Sequence, residues 1–240
     1  MRAIRMHIEV AVAKMPKWAS QESGDTLEMI ERPRGGFSFV LADGQGSGRA
    51  AKAISQQVAR KAIAELAEGV RDGAAARAAH DFLYTHKGGR VSATLNILSV
   101  DLTTGTMVLS RNNPHPVIVV RPDGEVELLD APSQPVGIYP RTRPVITEIA
   151  LEPGLAVVVY TDGLALAGEG RGGPMDLPAV IRKMAALGLD ARQMADELLA
   201  RARALEANHP RDDISVLVLR VHPENGDPVR RLYVQVCTGT

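Results

Sequence analysis

Three acidic corners of this sequence carry residues able to hold a hard metal ion. Asp43-Gly44 follows the apolar run Phe37 to Ala42, Asp162-Gly163 follows Val157 to Thr161, and Asp212-Asp213 precedes Ile214 to Leu219. Each sets an aspartate at the end of a β-rich run, where a packed sheet fixes its position and carboxylates from distant parts of the chain can converge. Converged carboxylates raise one another's pKa, and a divalent cation removes that cost. Oxygen donors without Cys or His select Mg2+ or Mn2+ over zinc or copper. An Asp-Gly pair alone is an ordinary turn, which is how Asp123-Gly124 reads. Joint occurrence at strand ends sets the others apart, as does Gly44-Gln45-Gly46-Ser47-Gly48 behind the first. Glycine after Asp43 and after Asp162 lets the backbone turn tightly and a carbonyl or water approach an ion.

A rival reading takes the glycine run as a dinucleotide loop. Gly46-Ser47-Gly48-Arg49-Ala50-Ala51 matches GxGxxA between a strand and a helix, with Glu65 as the ribose partner. Glu65 falls inside the expected helix, however, and this oxidoreductase-type reading leaves Asp162 and Asp212 without a role.

The elements that position these corners follow from period and punctuation. Ile4 to Met15 reads as a strand, as does Phe37 to Ala42 after Gly35-Gly36. Ala51, Ile54, Val58, Ala62 and Leu66 then recur at helical spacing up to Gly69, and a second helix covers Ala74 to Tyr84. Strands at Ala93 to Asp101, Thr106 to Arg111, Val117 to Arg121 and Glu125 to Leu129 form an antiparallel meander. A proline-rich crossing, Pro132 to Pro144, leads to strands at Ile146 to Leu151 and Leu155 to Thr161. Gly168 to Gly173, four glycines in six residues, reads as a flexible link. Helices at Leu177 to Leu187 and Ala191 to Ala207 follow, the second with Asp190 as N-cap. A strand at Ile214 to Val221 and an edge strand at Leu232 to Val236 close the chain. Helices bunched apart from antiparallel strands indicate an α+β fold.

Bulk composition narrows the function. Lys plus Arg and Asp plus Glu each number 28, and aromatics are 3%, so neither steering toward nucleic acid nor base stacking is a property of the chain. The single cysteine, Cys237, forms no intramolecular disulfide and no metal cluster. No apolar run reaches the roughly 20 residues of a membrane helix, and no signal peptide opens the chain, so a cytoplasmic protein without membrane contact is expected.

Four segments in order carry a family resemblance: Ser23-Gly24-Asp25, VLADGQGSG from Val40, VVVYTDGL from Val157 and RDDISVLVLR from Arg211. Together they resemble the metal-dependent protein serine/threonine phosphatases, the PPM or type 2C family. Asn112-Asn113-Pro114-His115-Pro116 is similar to a segment of its SpoIIE-like branch. The resemblance implies a four-layer α-β-β-α sandwich of two mostly antiparallel sheets flanked by helices, as one domain over 1–240. It implies two Mn2+ or Mg2+ ions, with Asp43 bridging them, the Gly44 carbonyl on one, Asp162 and Asp212 completing the shell, and Asp25 close by through water. Asp213 is expected to fix the final loop. Arg49 is a candidate to orient phosphate, although a solvated helix-end arginine is the ordinary reading. Two such ions lower the pKa of a bridging water, which attacks the phosphoryl group in line.

Two departures stand out. Gln45 occupies the place where many relatives carry His, and Ala165-Leu166-Ala167 replaces Thr-Glu-Ala. With one catalytic domain filling the chain, the resemblance extends to RsbX-like stressosome phosphatases. It implies a phosphoserine or phosphothreonine substrate on a STAS-domain partner of stressosome or anti-anti-sigma type. A catalytically silent binding module on the same scaffold is the alternative.

Overall fold

The computed structural model describes residues 6–33, 35–223 and 229–235. Two five-stranded antiparallel sheets lie face to face. One contains β1 (Met6–Met15), β10 (Ile214–Pro223), β9 (Ala156–Tyr160), β6 (Val117–Val120) and β7 (Val126–Leu129), in that spatial order. The other runs β2 (Asp25–Glu31), β3 (Phe37–Gly44), β4 (Ala93–Asp101), β5 (Thr106–Asn112) and β8 (Val145–Ala150). Helices α1 (Gly48–Ala67) and α2 (Asp72–Lys87) cover the second sheet, and α4 (Leu177–Ala186) and α5 (Ala191–Leu205) cover the first. A single turn, α3 (Asp162–Ala165), follows β9. The result is the expected α-β-β-α order.

Strands buried on both faces explain the unbroken apolar runs. In β9, Ala156, Val158 and Tyr160 pack under α4 and α5, whereas Val157 and Val159 point into the layer between the sheets. In β10 the same alternation sends Val216 and Val218 to the helices and Leu217, Leu219 and Val221 to the other sheet. Val40 and Ala42 of β3 meet Val58, Ala62 and Leu66 of α1, while Leu41 faces the inter-sheet layer. Each such side chain contributes about 1.5–3 kcal/mol by leaving water. That three-layered burial holds the strand ends in place.

Local signals set the boundaries. Gly69, at φ +81°, donates its N–H to Leu66 O just beyond α1. Asp190 caps α5 by accepting from Gln193 N at 2.7 Å, and the Gln193 side chain returns the bond to Asp190 N.

Several expectations change. Strand β2 lies where no strand was expected, because Leu27 and Met29 alternate with Thr26 and Glu28 instead of forming an apolar run. The Gly168–Gly173 segment is closed by hydrogen bonds, with Gly168 N–H on Glu206 Oε1 at 2.7 Å and Gly173 N–H on Gly168 O, so it is a held turn and not a bare link. Residues 232–235 form no strand. Arg192 of α5 stands over the Tyr233 ring and bonds Gln235, keeping that stretch against the helix. Ile4, Arg5, Val236 and Cys237 lie outside the described residues. No parallel strand pair joins the strands around the glycine run, and Glu65 pairs with Lys61 one turn away in α1, so the β-α-β unit of the dinucleotide reading is absent.

Candidate functional site

The two sheets meet through polar side chains at one end of the sandwich. Asp25 opens β2 and stands directly opposite Asp43 near the end of β3, so the two carboxyl groups share one face of their sheet. That face looks toward the other sheet, where Thr161 follows β9 and Ser215 lies in β10. Ser215 Oγ donates to Asp25 Oδ2 at 2.5 Å and Thr161 Oγ1 to the same oxygen at 3.2 Å. Thr161 Oγ1 in turn accepts from Ser215 N at 3.0 Å. A fully buried carboxylate of one sheet is thus bound by hydroxyls of the other. Neither hydroxyl is singled out by the sequence reading; the only signal for them is their position beside Asp162 and Asp213.

Glycine serves packing at these corners. Gly44 belongs to β3 and has no left-handed φ; a Cβ there would meet the Ala51 carbonyl oxygen of α1 at 2.1 Å. A Cβ on Gly163 would meet the Asp213 carbonyl oxygen at the same 2.1 Å, and one on Gly24 would meet Ala51 Cβ at 2.7 Å. These three glycines let α1, α3 and the loop before β10 close upon the aspartates. Asp123-Gly124, by contrast, is the ordinary turn expected, with Gly124 at φ +86°.

Electrostatics show which carboxyl groups are brought together. Burial, and then the charges of Asp25, Asp162 and Asp212, push the Asp43 carboxyl up to about 9. Burial raises Asp25 to about 6, opposed by its bond from Ser215 and reinforced by the charge of Asp213. Asp212 is also raised, by burial and by its acidic neighbours Asp162 and Asp213. Asp213 is turned the other way. Its Oδ1 accepts from Lys17 N at 2.9 Å and its Oδ2 from Gly24 N at 2.8 Å, which ties the loop before β2 to the start of β10.

Cations line the far side of Asp25. Lys14 Nζ and Lys52 Nζ both donate to its backbone oxygen, at 2.8 and 2.6 Å, and burial pulls the Lys52 ammonium down to about 8. Gln45, where an imidazole was the alternative, is pinned by Ser92, whose N–H donates to its Oε1 at 2.9 Å. His115 lies in a turn in which its own N–H donates to Asn113 Oδ1. Arg49 stands exposed on the first turn of α1. Asp162 and Asp212 line a cleft of about 180 Å³ with Leu166, Glu206 and Arg211.

Donor chemistry at this end fits a divalent cation. Asp25 Oδ1 is buried and receives no hydrogen bond, the kind of orphaned oxygen that a proton shared with Asp43 or a metal ion would satisfy. Among the described residues no three Asp, Glu, His or Cys side chains are arranged to hold one ion by themselves. An ion here would combine carboxylates in pairs with the Gly44 carbonyl and water, a mixture that Mg2+ commonly accepts.

Comparison with known proteins agrees with this architecture. The model of the family described as Stage II sporulation protein E (SpoIIE) matches residues 33–222, a span that includes Asp43, Asp162 and Asp212 and leaves out Asp25. No curated protein matches the sequence. The PP2C phosphatase domain of SpoIIE from Bacillus subtilis, solved with a fragment of its regulatory domain, superposes with a TM-score of 0.77 at 22% identity over 89% of this chain. This chain spans 63% of that longer one. The catalytic domain of the serine/threonine phosphatase PstP, solved with two manganese ions, gives 0.68 at 17% identity, over 91% of this chain and 100% of that one. RsbX in complex with magnesium gives 0.66 at 19%, over 90% and 96%.

Proposed function

The chain belongs to the SpoIIE family, and from that premise we propose that it is a metal-dependent protein serine/threonine phosphatase, with 1–240 as one phosphatase unit. The observation that carries this reading is that Asp25 and Asp43 stand opposite each other on one sheet while Asp162 and Asp212, at the ends of β9 and β10 of the other, add their charges to the burial that raises the Asp43 carboxyl. Asp43, Asp162, Asp212 and the Gly44 carbonyl would hold two Mn2+ or Mg2+ ions, with Asp25 beside them. Bound there, the ions would supply an acidified water and neutralise phosphoryl charge.

This chain's own residues do the rest. Ser215 and Thr161 fix the Asp25 carboxylate, so it does not turn away when its neighbours ionise. Asp213, spent on Lys17 N and Gly24 N, shapes the rim and leaves Asp212 as the open carboxylate of the pair. The amide of Gln45 does not titrate and is held by Ser92, so it is not the acid that protonates the leaving serine or threonine alkoxide. As substrate we propose phosphoserine or phosphothreonine on a STAS-domain signalling partner of stressosome or anti-anti-sigma type, in a cytoplasmic setting. The likeness in fold to RsbX supports that choice; among the described residues no helix is long and apolar enough to cross a membrane.

The experiment is hydrolysis of p-nitrophenyl phosphate and of phosphorylated STAS proteins with and without Mn2+. Wild-type protein is expected to require the metal, and Asp43→Asn to lose at least about a hundredfold in kcat, the scale on which removing one charge-stabilising group acts. Activity that survives both chelation and Asp43→Asn would remove the proposal. A second reading, a phosphoprotein-binding module without turnover, is favoured by Gln45 in place of an imidazole. It would hold if STAS phosphoproteins bound without being hydrolysed.

A further inference from the structure

We propose that the corner Lys17-Trp18 is the substrate-recognition rim of this site, with Lys17 directed at the phosphoryl group and Trp18 receiving an apolar side chain next to the phosphorylated residue. The inference rests on the phosphatase reading above and extends it to the sequence around the phosphosite.

Trp18 is the only tryptophan of the chain and is 60% exposed. An indole left in water on a rigid loop is a binding anchor in search of a partner, since Trp supplies large contact area at little entropic cost. The loop is rigid. Lys17 N–H donates to Asp213 Oδ1 at 2.9 Å, Trp18 N–H to Pro210 O at 2.8 Å, and Ser20 N–H to Lys17 O at 3.0 Å. The indole meets the edge of His209, also exposed, at 4.9 Å and 71°. His209 lies three residues before Asp212, on the same loop that carries this aspartate into β10.

Left-handed residues shape both loops at this contact. Among the described residues four non-glycine residues adopt positive φ, and three of them, Ala19, Ala207 and Asn208, flank the Trp18–His209 contact. Ala207 and Asn208 close the C-terminus of α5, with Asn208 N–H on Arg203 O at 2.8 Å, and Ala19 turns the chain just after Trp18. Here they turn both loops so that the two rings face outward.

Lys17 completes the rim. Its Nζ lies 3.4 Å from Ser47 Oγ in the glycine loop, and its charge acts on the Asp212 carboxyl. The amine therefore lies between the glycine loop and the loop that carries Asp212 and Asp213, to which the Lys17 backbone is bound. A phosphorylated segment is the matching occupant, because its dianion meets Lys17 while a neighbouring apolar side chain meets Trp18. Exposed Leu166 lines the cleft beside Asp162 and Asp212.

The test uses the full chain loaded with Mn2+, two phosphoserine peptides flanked on both sides by leucine or by aspartate, their non-hydrolysable phosphonate versions, and p-nitrophenyl phosphate. The leucine phosphonate is expected to shift the emission of Trp18 to the blue. Trp18→Ala is expected to lower the leucine peptide's kcat/KM, relative to that of p-nitrophenyl phosphate, by about tenfold, through KM. Trp18→Phe should recover most of that loss, and Lys17→Met should raise KM for all three substrates. Equal cleavage of both peptides, an unchanged ratio in Trp18→Ala, or bound phosphonate without a spectral change would overturn the proposal. Hydrolysis with an unresponsive Trp18 leaves the phosphatase reading standing and removes the rim. A spectral shift without any hydrolysis does the reverse.

Discussion

Asp43 carries the most strongly raised carboxyl of the candidate site. Its carboxyl, near 3.8 when free and pushed up to about 9 in the fold by burial and its acidic neighbours, holds its proton at neutral pH, and a cation bound as proposed would displace it. The sign of the consequence follows from linkage. The folded state binds the proton more tightly than the unfolded state, so stability is greatest below the unfolded pKa and falls as pH rises from about 4 toward about 9. Asp25, raised to about 6, adds a drop of the same sign at the acid end of that window. The carboxyl groups titrate as a coupled set, so the proton belongs to the cluster and not to one oxygen. Metal-free protein is therefore expected to lose Tm steadily between pH 6 and 9. Calorimetric Mn2+ titrations at pH 7 in buffers of different ionisation enthalpy should show release of about one proton per molecule. A Tm that rises over that range, or metal binding without proton release, would show that the carboxyl groups do not crowd one another.

Elements place these residues, and glycines decide how closely the elements approach. Gly44→Ala sets a methyl group 2.1 Å from the Ala51 carbonyl, 2.8 Å from its carbon and 3.0 Å from Ser55 N, all backbone of α1. No side-chain rotation relieves that contact, so α1 must leave β3, at a cost of about 3 kcal/mol by comparison with overpacked cores. Gly46→Ala, two residues on, meets nothing within 4 Å and carries only the strain of φ +96°, about 1 kcal/mol. Urea denaturation of the two variants measures the difference, and equal losses would mean that α1 is not seated on Gly44. The sequence marks these glycines as special but for a turn, since nothing local tells that a helix four residues later will need the space. The helix itself is legible from the period of Ala51, Val58 and Leu66, and the start of α5 from Asp190. Strand β2 is not, because its pairing with β3 supplies what its mixed alternation lacks.

At the scale of the molecule, two sheets buried on three layers converge at one end on a polar seam. The α+β class is readable from helices bunched apart from antiparallel strands, and the four-layer order comes with the family resemblance; the apolar runs of β9 and β10 fit it because both faces of these strands are covered. The aspartates are readable as a recurring strand-end type. Thr161, Ser215 and Lys17 are not, because their roles depend on contacts between residues more than a hundred positions apart or on a loop with no regular period. Asp43, Asp162 and Asp212, with Asp25 beside them, are proposed to hold divalent ions at that seam. Anomalous diffraction at the manganese edge from crystals soaked in Mn2+ tests this most directly. Two peaks sharing the Asp43 carboxylate, one of them beside the Gly44 carbonyl, are the predicted result. A map with no peak within coordination distance of Asp43 would contradict it.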